Sequence, residues 1–249
     1  MNKYQVHVDT ASASYVTSAN PGQPLISKTN GNPFQCVAIL GNRHRAIRTA
    51  SLKDAQIPIA FYNIRAPYNS ITLNSIVYTV PPGNYTIASL VATLNGIVTQ
   101  AVAVFTYSSQ TSRVSLASNS GQIIVGVPAL SLGFFLGFTN GQTVPASNMQ
   151  INATNCYIIN FDTYINLWFG ELGTSSLDPI QVTYKIPLSG ASGTITQYAE
   201  GSNWSQKIIV TDRSNRLDRF TITITDRFGN IIINNGVDWS FTLEIESDT

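Results

Sequence analysis

Charge is the first thing that this 249-residue sequence has little of. Asp, Glu, Lys and Arg together make up 11% of the residues, whereas about a quarter is usual in soluble domains. The formal net charge is only +1, so the overall charge would not attract nucleic acid or an acidic membrane. A surface with so few charges favours packing against neighbouring molecules, and the composition therefore indicates a protein that assembles.

Cysteines, a signal peptide and long apolar runs are also scarce or absent. Cys36 and Cys156 lie far apart, so we predict two free thiols, half-buried in strands, and no disulfide framework. The first ten residues lack the apolar core of a signal peptide. The most apolar run, residues 123–138, is shorter than the roughly 20 residues that a spanning helix needs. We expect no membrane span there, but a buried strand and a short helical turn that ends at Gly137.

Motifs for catalysis and for cofactors are missing too. His7 and His44 share no pattern with the carboxylates, which are scattered at predicted strand ends and turns. No CxxC pair, HxxEH-like pair or DxDxDG loop is present, and no GxSxG marks a serine nucleophile. Residues 81–86 (PPGNYT) lack the lysine and the glycine spacing of a phosphate-binding loop. The sequence therefore predicts no enzyme, no metal site and no cofactor.

One convincing helix is predicted after the Pro-Pro-Gly turn at residues 81–83. Thr86 is a suitable N-cap, and Asn95-Gly96 offers an early exit near the other end. A helix this short is marginal alone, so its apolar face should dock on a sheet. The apolar positions that share this face are Ile87, Leu90, Val91, Leu94, Ile97 and Val98.

The rest of the chain alternates apolar and polar residues with the two-residue period of strands. Roughly a dozen strands without βαβ alternation predict an antiparallel all-β sandwich or barrel. Residues 1–33 show only one short alternating segment, so we predict a flexible N-terminal arm there. The predicted strands include residues 34–40, 43–50, 57–64, 71–80, 102–107, 113–117, 156–161, 181–188, 219–225 and 237–246.

Four segments carry a resemblance to a known family. They are RAIRTASLKDAQIPIAFYNI from Arg45, YTVPPGNYTIASLVATLN from Tyr78, LGFFLGF from Leu132 and DRFGNIIINNGVDWSFTLEIE from Asp226. Together they resemble the penton, or vertex, capsid proteins of virophages, polinton-like viruses and related double-stranded DNA viruses with double-jelly-roll major capsid proteins. The resembling segments span about three quarters of the chain, and their motifs are structural rather than catalytic.

The resemblance implies a single jelly roll over residues 34–249 that forms a homopentamer at the fivefold vertex of an icosahedral capsid. Surplus elements between about residues 74 and 127 would be an inserted hairpin-plus-helix subdomain; alternatively, the helix covers one end of the sandwich. The implied partners are further copies, the neighbouring major capsid protein, and minor capsid or spike proteins. The implied location is the virion, after synthesis in the host cytoplasm or a virus factory.

Basic residues form two groups. Arg43, Arg45 and Arg48 would contact a packaged genome or acidic partners at a subunit seam, or else form a solvated face. Strand geometry puts Arg43 and Arg45 on one face and Arg48 on the other. We expect no specific recognition of nucleic acid. The second group alternates with aspartates, is close to neutral, and suggests a salt-linked loop or an intersubunit network. It comprises Arg213, Arg216, Arg219 and Arg227.

An alternative function belongs to another class. A receptor- or glycan-binding sandwich, such as a spike or fibre head, would stack exposed aromatic side chains on sugar rings. Trp204, in the loop EGSNWSQ, is the best candidate for this contact, whereas Trp239 has the parity of a core residue. The other aromatic candidates are Tyr62, Tyr68 and Trp168.

Overall fold

The computed structural model describes residues 2–11, 25–99, 102–146, 149–172, 184–201, 207–209 and 216–248. Over these residues the chain forms two compact units. One comprises Met1–Phe61 with Asp162–Thr249, and we call it the sandwich unit; the other comprises Tyr62–Phe161, and we call it the inserted unit.

The described residues contain seventeen strands and two helices, mostly short. In chain order they are β1 (Asn2–Asp9), β2 (Leu25–Thr29), β3 (Asn32–Arg45), β4 (Ile47–Pro58), β5 (Ser70–Leu73), β6 (Ile76–Thr79), α1 (Ile87–Val98), β7 (Ala103–Ser108), β8 (Arg113–Ser118), β9 (Ile123–Gly126), α2 (Leu132–Phe135), β10 (Gln142–Val144), β11 (Gln150–Asn152), β12 (Tyr164–Phe169), β13 (Tyr184–Pro187), β14 (Ile195–Ala199), β15 (Lys207–Ile209), β16 (Arg216–Thr225) and β17 (Ser240–Ser247).

The strands of the sandwich unit form two five-stranded antiparallel sheets. One has the order β1-β17-β4-β14, with β15 also paired to β4, and the other has the order β13-β12-β16-β3-β2. If β2 and β15 are left out, the remaining eight strands can be lettered B to I in chain order. The sheets then read B-I-D-G and F-E-H-C, which is the strand order of a jelly roll. The predicted antiparallel all-β class is confirmed.

Alternating side chains build the core of the sandwich unit. Along β17 every second residue is buried, as predicted for the final strand. Phe169 contacts the rings of Tyr184, Phe220 and Phe241 at centroid distances of 5.4 to 5.8 Å. Trp239 is 2% exposed, and its indole nitrogen donates to the Pro33 carbonyl over 2.7 Å. Trp239 is thus a core residue, as its parity predicts.

The inserted unit leaves the sandwich unit after β4 and returns before β12, between the strands lettered D and E. Its strands form the sheets β10-β9-β5-β6 and β11-β8-β7, which enclose a buried apolar cluster of their own. The predicted β7–β8 hairpin is confirmed, as are the strand β9 and the short helix α2 before Gly137. The range of residues 74–127 that the sequence suggests for an insertion lies within this unit.

Helix α1 forms as its apolar spacing predicts. Thr86 and Ser89 make a reciprocal capping box, and Leu90, Val91, Leu94 and Val98 are buried. The helix continues past Gly96, so the early exit is not used. The Asn95 side chain is engaged elsewhere, since it accepts from the Phe105 amide over 2.7 Å and donates to the Phe105 carbonyl over 2.9 Å.

Four predicted strands have different bounds in the structure. The turn between β3 and β4 is at Ala46, with φ of 49°, and not at Gly41-Asn42. Residues 71–80 are two strands of a hairpin, because Asn74 and Ser75 both adopt positive φ and reverse the chain; this turn accounts for the change of parity. Strand β4 ends at Pro58, so the strand predicted for residues 57–64 is wrong beyond that point.

The strand predicted for residues 156–161 is also wrong. These residues are irregular, and their apolar side chains pack without strand pairing. Phe161 stacks on Phe135 at 4.1 Å between ring centroids and contacts the edge of Tyr68 at 5.1 Å. Aromatic packing in a coil segment thus produced an apolar pattern that resembles a buried strand.

The N-terminal arm needs a correction as well. Residues 2–9 form β1, which pairs with β17 over eight registered positions from Asn2–Ser247 to Asp9–Ser240. Residues 25–29 form β2 against β3. A regular element was not expected in either place, because a short edge strand has too few alternations to stand out from a polar segment. The arm prediction for residues 12–24 falls outside the described residues.

Candidate interaction surfaces

The arginines predicted as a contact site belong to two different sheets. Arg43 and Arg45 lie on β3, whereas Arg48 lies on β4 in the other sheet of the sandwich. The Nε atom of Arg48 is 2.5 Å from Asp248 Oδ1, and both side chains are about one-third exposed. Arg48 thus already has an anionic partner within the chain, and it does not share a face with Arg43 and Arg45.

Strand pairing brings Arg45 next to an arginine from the second basic group. In the antiparallel register of β3 and β16, Arg45 is directly opposite Arg216. The residue after Arg216, Leu217, is buried in the core. This pairing joins residues that are 171 positions apart, and no local pattern in the sequence could have shown it.

The outer face of the sheet that contains β1, β17 and β4 carries an ion-pair network. Lys3 Nζ lies 3.1 Å from Glu246 and 3.6 Å from Glu244, and Lys53 Nζ lies 2.5 Å from Glu200 and 3.2 Å from Glu244. The hydrogen bond that Lys53 donates to Glu200 is the main cause that raises the pKa of Lys53, and the bond that Lys3 donates to Glu246 is the main cause that raises the pKa of Lys3. Opposite charges on three strands therefore compensate one another here.

The inserted unit has almost no charge. Of the 27 charged residues in the sequence, only Arg65 and Arg113 fall within residues 62–161. Arg65 is buried; its guanidinium lies 5.6 Å from the ring of Tyr68 and 5.5 Å from that of Phe161, and it donates to the Tyr62 carbonyl. Arg113 is exposed on β8. It is therefore the one exposed charge among the residues of this unit that the structure describes.

The same unit exposes many large apolar side chains. Eight of the fourteen exposed large hydrophobic residues in the described chain belong to it. A unit with this many exposed apolar side chains and a single exposed charge has little on its surface that opposes association with other molecules. The eight residues are Tyr62, Ile76, Val77, Tyr107, Ile124, Phe134, Met149 and Ile158.

Strand β6 is an apolar strand at the edge of its sheet. It pairs with β5 on one side only, and Ile76 and Val77 are 57% and 61% exposed. In the register of this hairpin, the backbone groups of Val77 and Thr79 point away from β5. Natural edge strands usually carry lysine, proline or a bulge against unwanted pairing, and β6 carries none of these.

The aromatic residues considered for glycan contact are scattered. Tyr68 and Trp239 are buried in the cores of their units, so they cannot stack on a sugar. Tyr62 is 37% exposed, and Trp168 lies half-buried on the outer face of β12. Trp204 lies outside the described residues, and its proposed glycan contact stays a prediction.

The two cysteines are free, and candidate metal ligands are spread apart in the described residues. Among the described residues, no three His, Cys, Asp or Glu side chains lie close enough together to hold a metal ion. Cys36 is buried in β3, where burial raises the pKa of its thiol to about 12, and Cys156 is exposed outside the strands. In the part of the chain that the structure describes, neither α1 nor α2 has the length and apolar character needed to cross a membrane.

Comparison with known proteins gave one kind of match. No family model and no curated protein matches the chain. Among solved structures, the crystal structure of the selenomethionine-labelled mavirus penton protein matches with a TM-score of 0.44 and 10% sequence identity, over 100% of both chains.

Proposed function

We propose that this protein is a structural capsid protein and that it forms the homopentameric vertex of an icosahedral double-stranded DNA virus particle. The observation that carries the proposal is the combination of a jelly-roll sandwich with an inserted unit that is nearly free of charge and rich in exposed apolar side chains. Such a surface lowers the solubility of a monomer and favours burial between subunits. The four segments that resemble penton proteins give independent support.

The mechanism would be assembly through shape. A fivefold ring closes when one heterologous interface is used five times, so each subunit needs two different complementary surfaces. The exposed apolar residues around β6 supply one such surface, because Ile76 and Val77 lose their contact with water when a neighbour covers them. The outer surfaces of the ring would then contact the neighbouring major capsid protein in the virion, together with minor capsid or spike proteins.

The mass of the purified full chain tests the proposal most directly. Light scattering coupled to gel filtration should give five times the chain mass of 27.0 kDa, and cryo-electron microscopy of particles should place the protein at the fivefold vertices. A stable monomer that is absent from every vertex would overturn the proposal.

A surface variant locates the interface. Val77→Lys adds a charge to the open edge of β6 and should shift the assembly towards smaller species, since a buried lysine without a partner is costly. Thr111→Lys is the matched control, because it adds the same charge to an exposed position in the β7–β8 turn of the same unit. If both variants assemble like the original protein, β6 is not part of the interface.

A further inference from the structure

We propose that the β6 edge of one copy packs against one end of the sandwich unit of the next copy in the ring. We call this the apolar end, and its defining residues are Ile195, Ile231, Ile233 and Val237. The inference rests on the proposed function and deepens it. A heterologous ring needs two different surfaces on each subunit, and the apolar end is the second of them, with β6 as the first.

The four side chains lie at one end of the sandwich strands. They are four of the six exposed large hydrophobic residues in the described part of the sandwich unit, with exposed fractions from 40% to 65%. Ile195 begins β14 and pairs with Pro58, the last residue of β4. In the loop between β16 and β17, Asn235 donates to the Ala60 carbonyl over 2.6 Å. The start of β14 and this loop therefore both contact residues 58–60.

The loop between β16 and β17 holds its exposed side chains in place. Ile232 and Asn234 are fully buried, whereas the isoleucines on either side of Ile232 are exposed. The Asn32 side chain donates to the Ile232 carbonyl over 2.9 Å, and the Asn234 side chain donates to the Val237 carbonyl over 2.9 Å. The exposed residues are therefore fixed before a partner arrives, and this lowers the entropy that is lost on binding.

The partner of this end should be uncharged. The three segments that meet there contain no Asp, Glu, Lys, Arg or His; they are residues 55–64, 186–199 and 228–237. The charges that flank the loop in sequence are Arg227 and Asp238, and the Asp238 carboxylate is 2.5 Å from Lys28 Nζ. A charged surface loses water at this end without gaining an ion pair. The inserted unit of another copy fits, because Arg113 is its one exposed charge among the described residues.

Strand β6 is the part of the inserted unit that suits this contact. Ile76 and Val77 are 57% and 61% exposed. The backbone groups of Val77 and Thr79 point away from β5. In β7, by contrast, the Asn95 side chain already binds the N–H and the C=O of Phe105. An edge with exposed apolar side chains and outward backbone groups gains most from a neighbouring subunit.

Cross-linking of the full chain with a flexible bis-maleimide tests the contact. The parent is Cys156→Ser, which removes the exposed thiol and leaves the buried Cys36. Val77→Cys and Ile233→Cys together should give covalent products of two to five chains on a denaturing gel. Either cysteine alone should give less than about a tenth of that product, because a heterologous contact does not bring a surface against itself. Equal products from a single-cysteine variant, links within one chain only, or no product would overturn the proposal.

Charge substitution gives a second measurement in solution. Ile233→Glu should raise the concentration needed for assembly by about tenfold or more, because it buries a carboxylate without a partner. Addition of Val77→Lys to this variant should lower that concentration again by about tenfold, since the two opposite charges then face each other. The matched control is Ile39→Glu, which places the same charge on an exposed isoleucine of β3. It should assemble like the original chain.

The outcomes separate this inference from the proposed function. Light scattering on the original chain measures the pentamer alone, and a chain that stays monomeric overturns the proposed function and this inference with it. A pentamer that Ile233→Glu leaves intact, or that Ile39→Glu disrupts equally, overturns the inference alone. Both positions are exposed, so each variant should unfold within about 2 °C of the original chain. If Ile233→Glu unfolds earlier than that, the cross-linking decides the inference.

Discussion

The two units of this chain use similar antiparallel sheets but stabilise their surfaces by different means. The sandwich unit holds 25 of the 27 charged residues, and the inserted unit holds two. Ion pairs such as Lys53–Glu200 connect strands on the outer face of the sandwich. In the inserted unit, neutral amide side chains connect neighbouring segments instead. The two units thus satisfy polar groups at their surfaces in two different ways, one with ion pairs and one with amides.

Three asparagines of the inserted unit each bind both a backbone N–H and a backbone C=O. Asn63 does this with Tyr85, Asn95 with Phe105, and Asn74 with the Ile124 amide and the Gln122 carbonyl, at distances from 2.7 to 3.0 Å. A carboxamide matches a peptide group in both donor and acceptor. It satisfies exposed and half-buried backbone groups without adding charge, and a surface without charge can pack against another molecule.

The largest expected effect comes from the two cores. Phe105→Ala should lower the free energy of unfolding of the inserted unit by about 3–5 kcal/mol, since a buried ring is lost and a cavity remains. Hydrogen exchange should then rise in residues 62–161 and stay slow where β4 pairs with β17. In the matched variant Phe169→Ala, hydrogen exchange should rise in the sandwich unit and stay slow in residues 62–161. If either variant loses protection throughout the chain, the two units do not unfold separately.

A smaller effect is expected at the amide contacts. Asn95→Ala removes both hydrogen bonds to Phe105 and should cost about 1–3 kcal/mol in urea denaturation, because the half-buried backbone groups lose their partners. Thr93→Ala, on the same helix, removes one bond to the Ser89 carbonyl of its own helix and should change stability by less than about 0.5 kcal/mol. Equal costs would mean that Asn95 acts only through helix propensity.

The ion pairs of the sandwich should contribute less again. Lys53→Met should cost less than about 1 kcal/mol, and less still at high salt, because this pair is about one-quarter exposed. The pKa of Lys53 is raised in the folded state, so its contribution is present at pH 8 and is lost as the pH rises through the folded pKa, above the usual 10.4. A double-mutant cycle with Glu200→Gln measures the coupling. A coupling that does not change with salt would contradict this account.

The smallest effect, no change at all, is expected in the inserted unit between pH 4 and pH 7. Its sequence contains no Asp, Glu, His or Lys, so no group of its own should titrate in that range. Exchange free energies in α1 and the β7–β8 hairpin should stay constant there after correction for intrinsic rates. A change of more than about 1 kcal/mol would show that its stability depends on charges outside residues 62–161.

Local patterns were enough to predict the elements that alternate or repeat within one segment. The final strand β17, helix α1 with its Thr86 cap and the β7–β8 hairpin all follow from neighbouring residues. Residues 156–161 were misassigned because the packing of Phe161 in an irregular segment gives the same apolar signal as a buried strand. Strand β1 was missed because its eight residues are mostly polar and its partner lies far along the chain.

The candidate sites depended on pairings that only the fold reveals. The sequence suggested Arg43, Arg45 and Arg48 as one group, but the turn at Ala46 sends Arg48 into the other sheet. The sequence analysis placed Arg45 and Arg216 in different basic groups, whereas the register of β3 and β16 makes them strand partners. The near absence of charge across residues 62–161 is visible in the sequence. It indicates an uncharged surface only once those residues are known to form one compact unit.

The central position of β17 has a consequence for synthesis on the ribosome. It lies between β1 and β4, although it leaves the ribosome after every other strand of the two sheets. The earliest strand must therefore remain without its neighbour until nearly all of this sequence has been translated, whereas residues 62–161 are contiguous and can fold sooner. Translation speed through the last forty residues should consequently decide how long an unfinished sheet is exposed to chaperones and to aggregation.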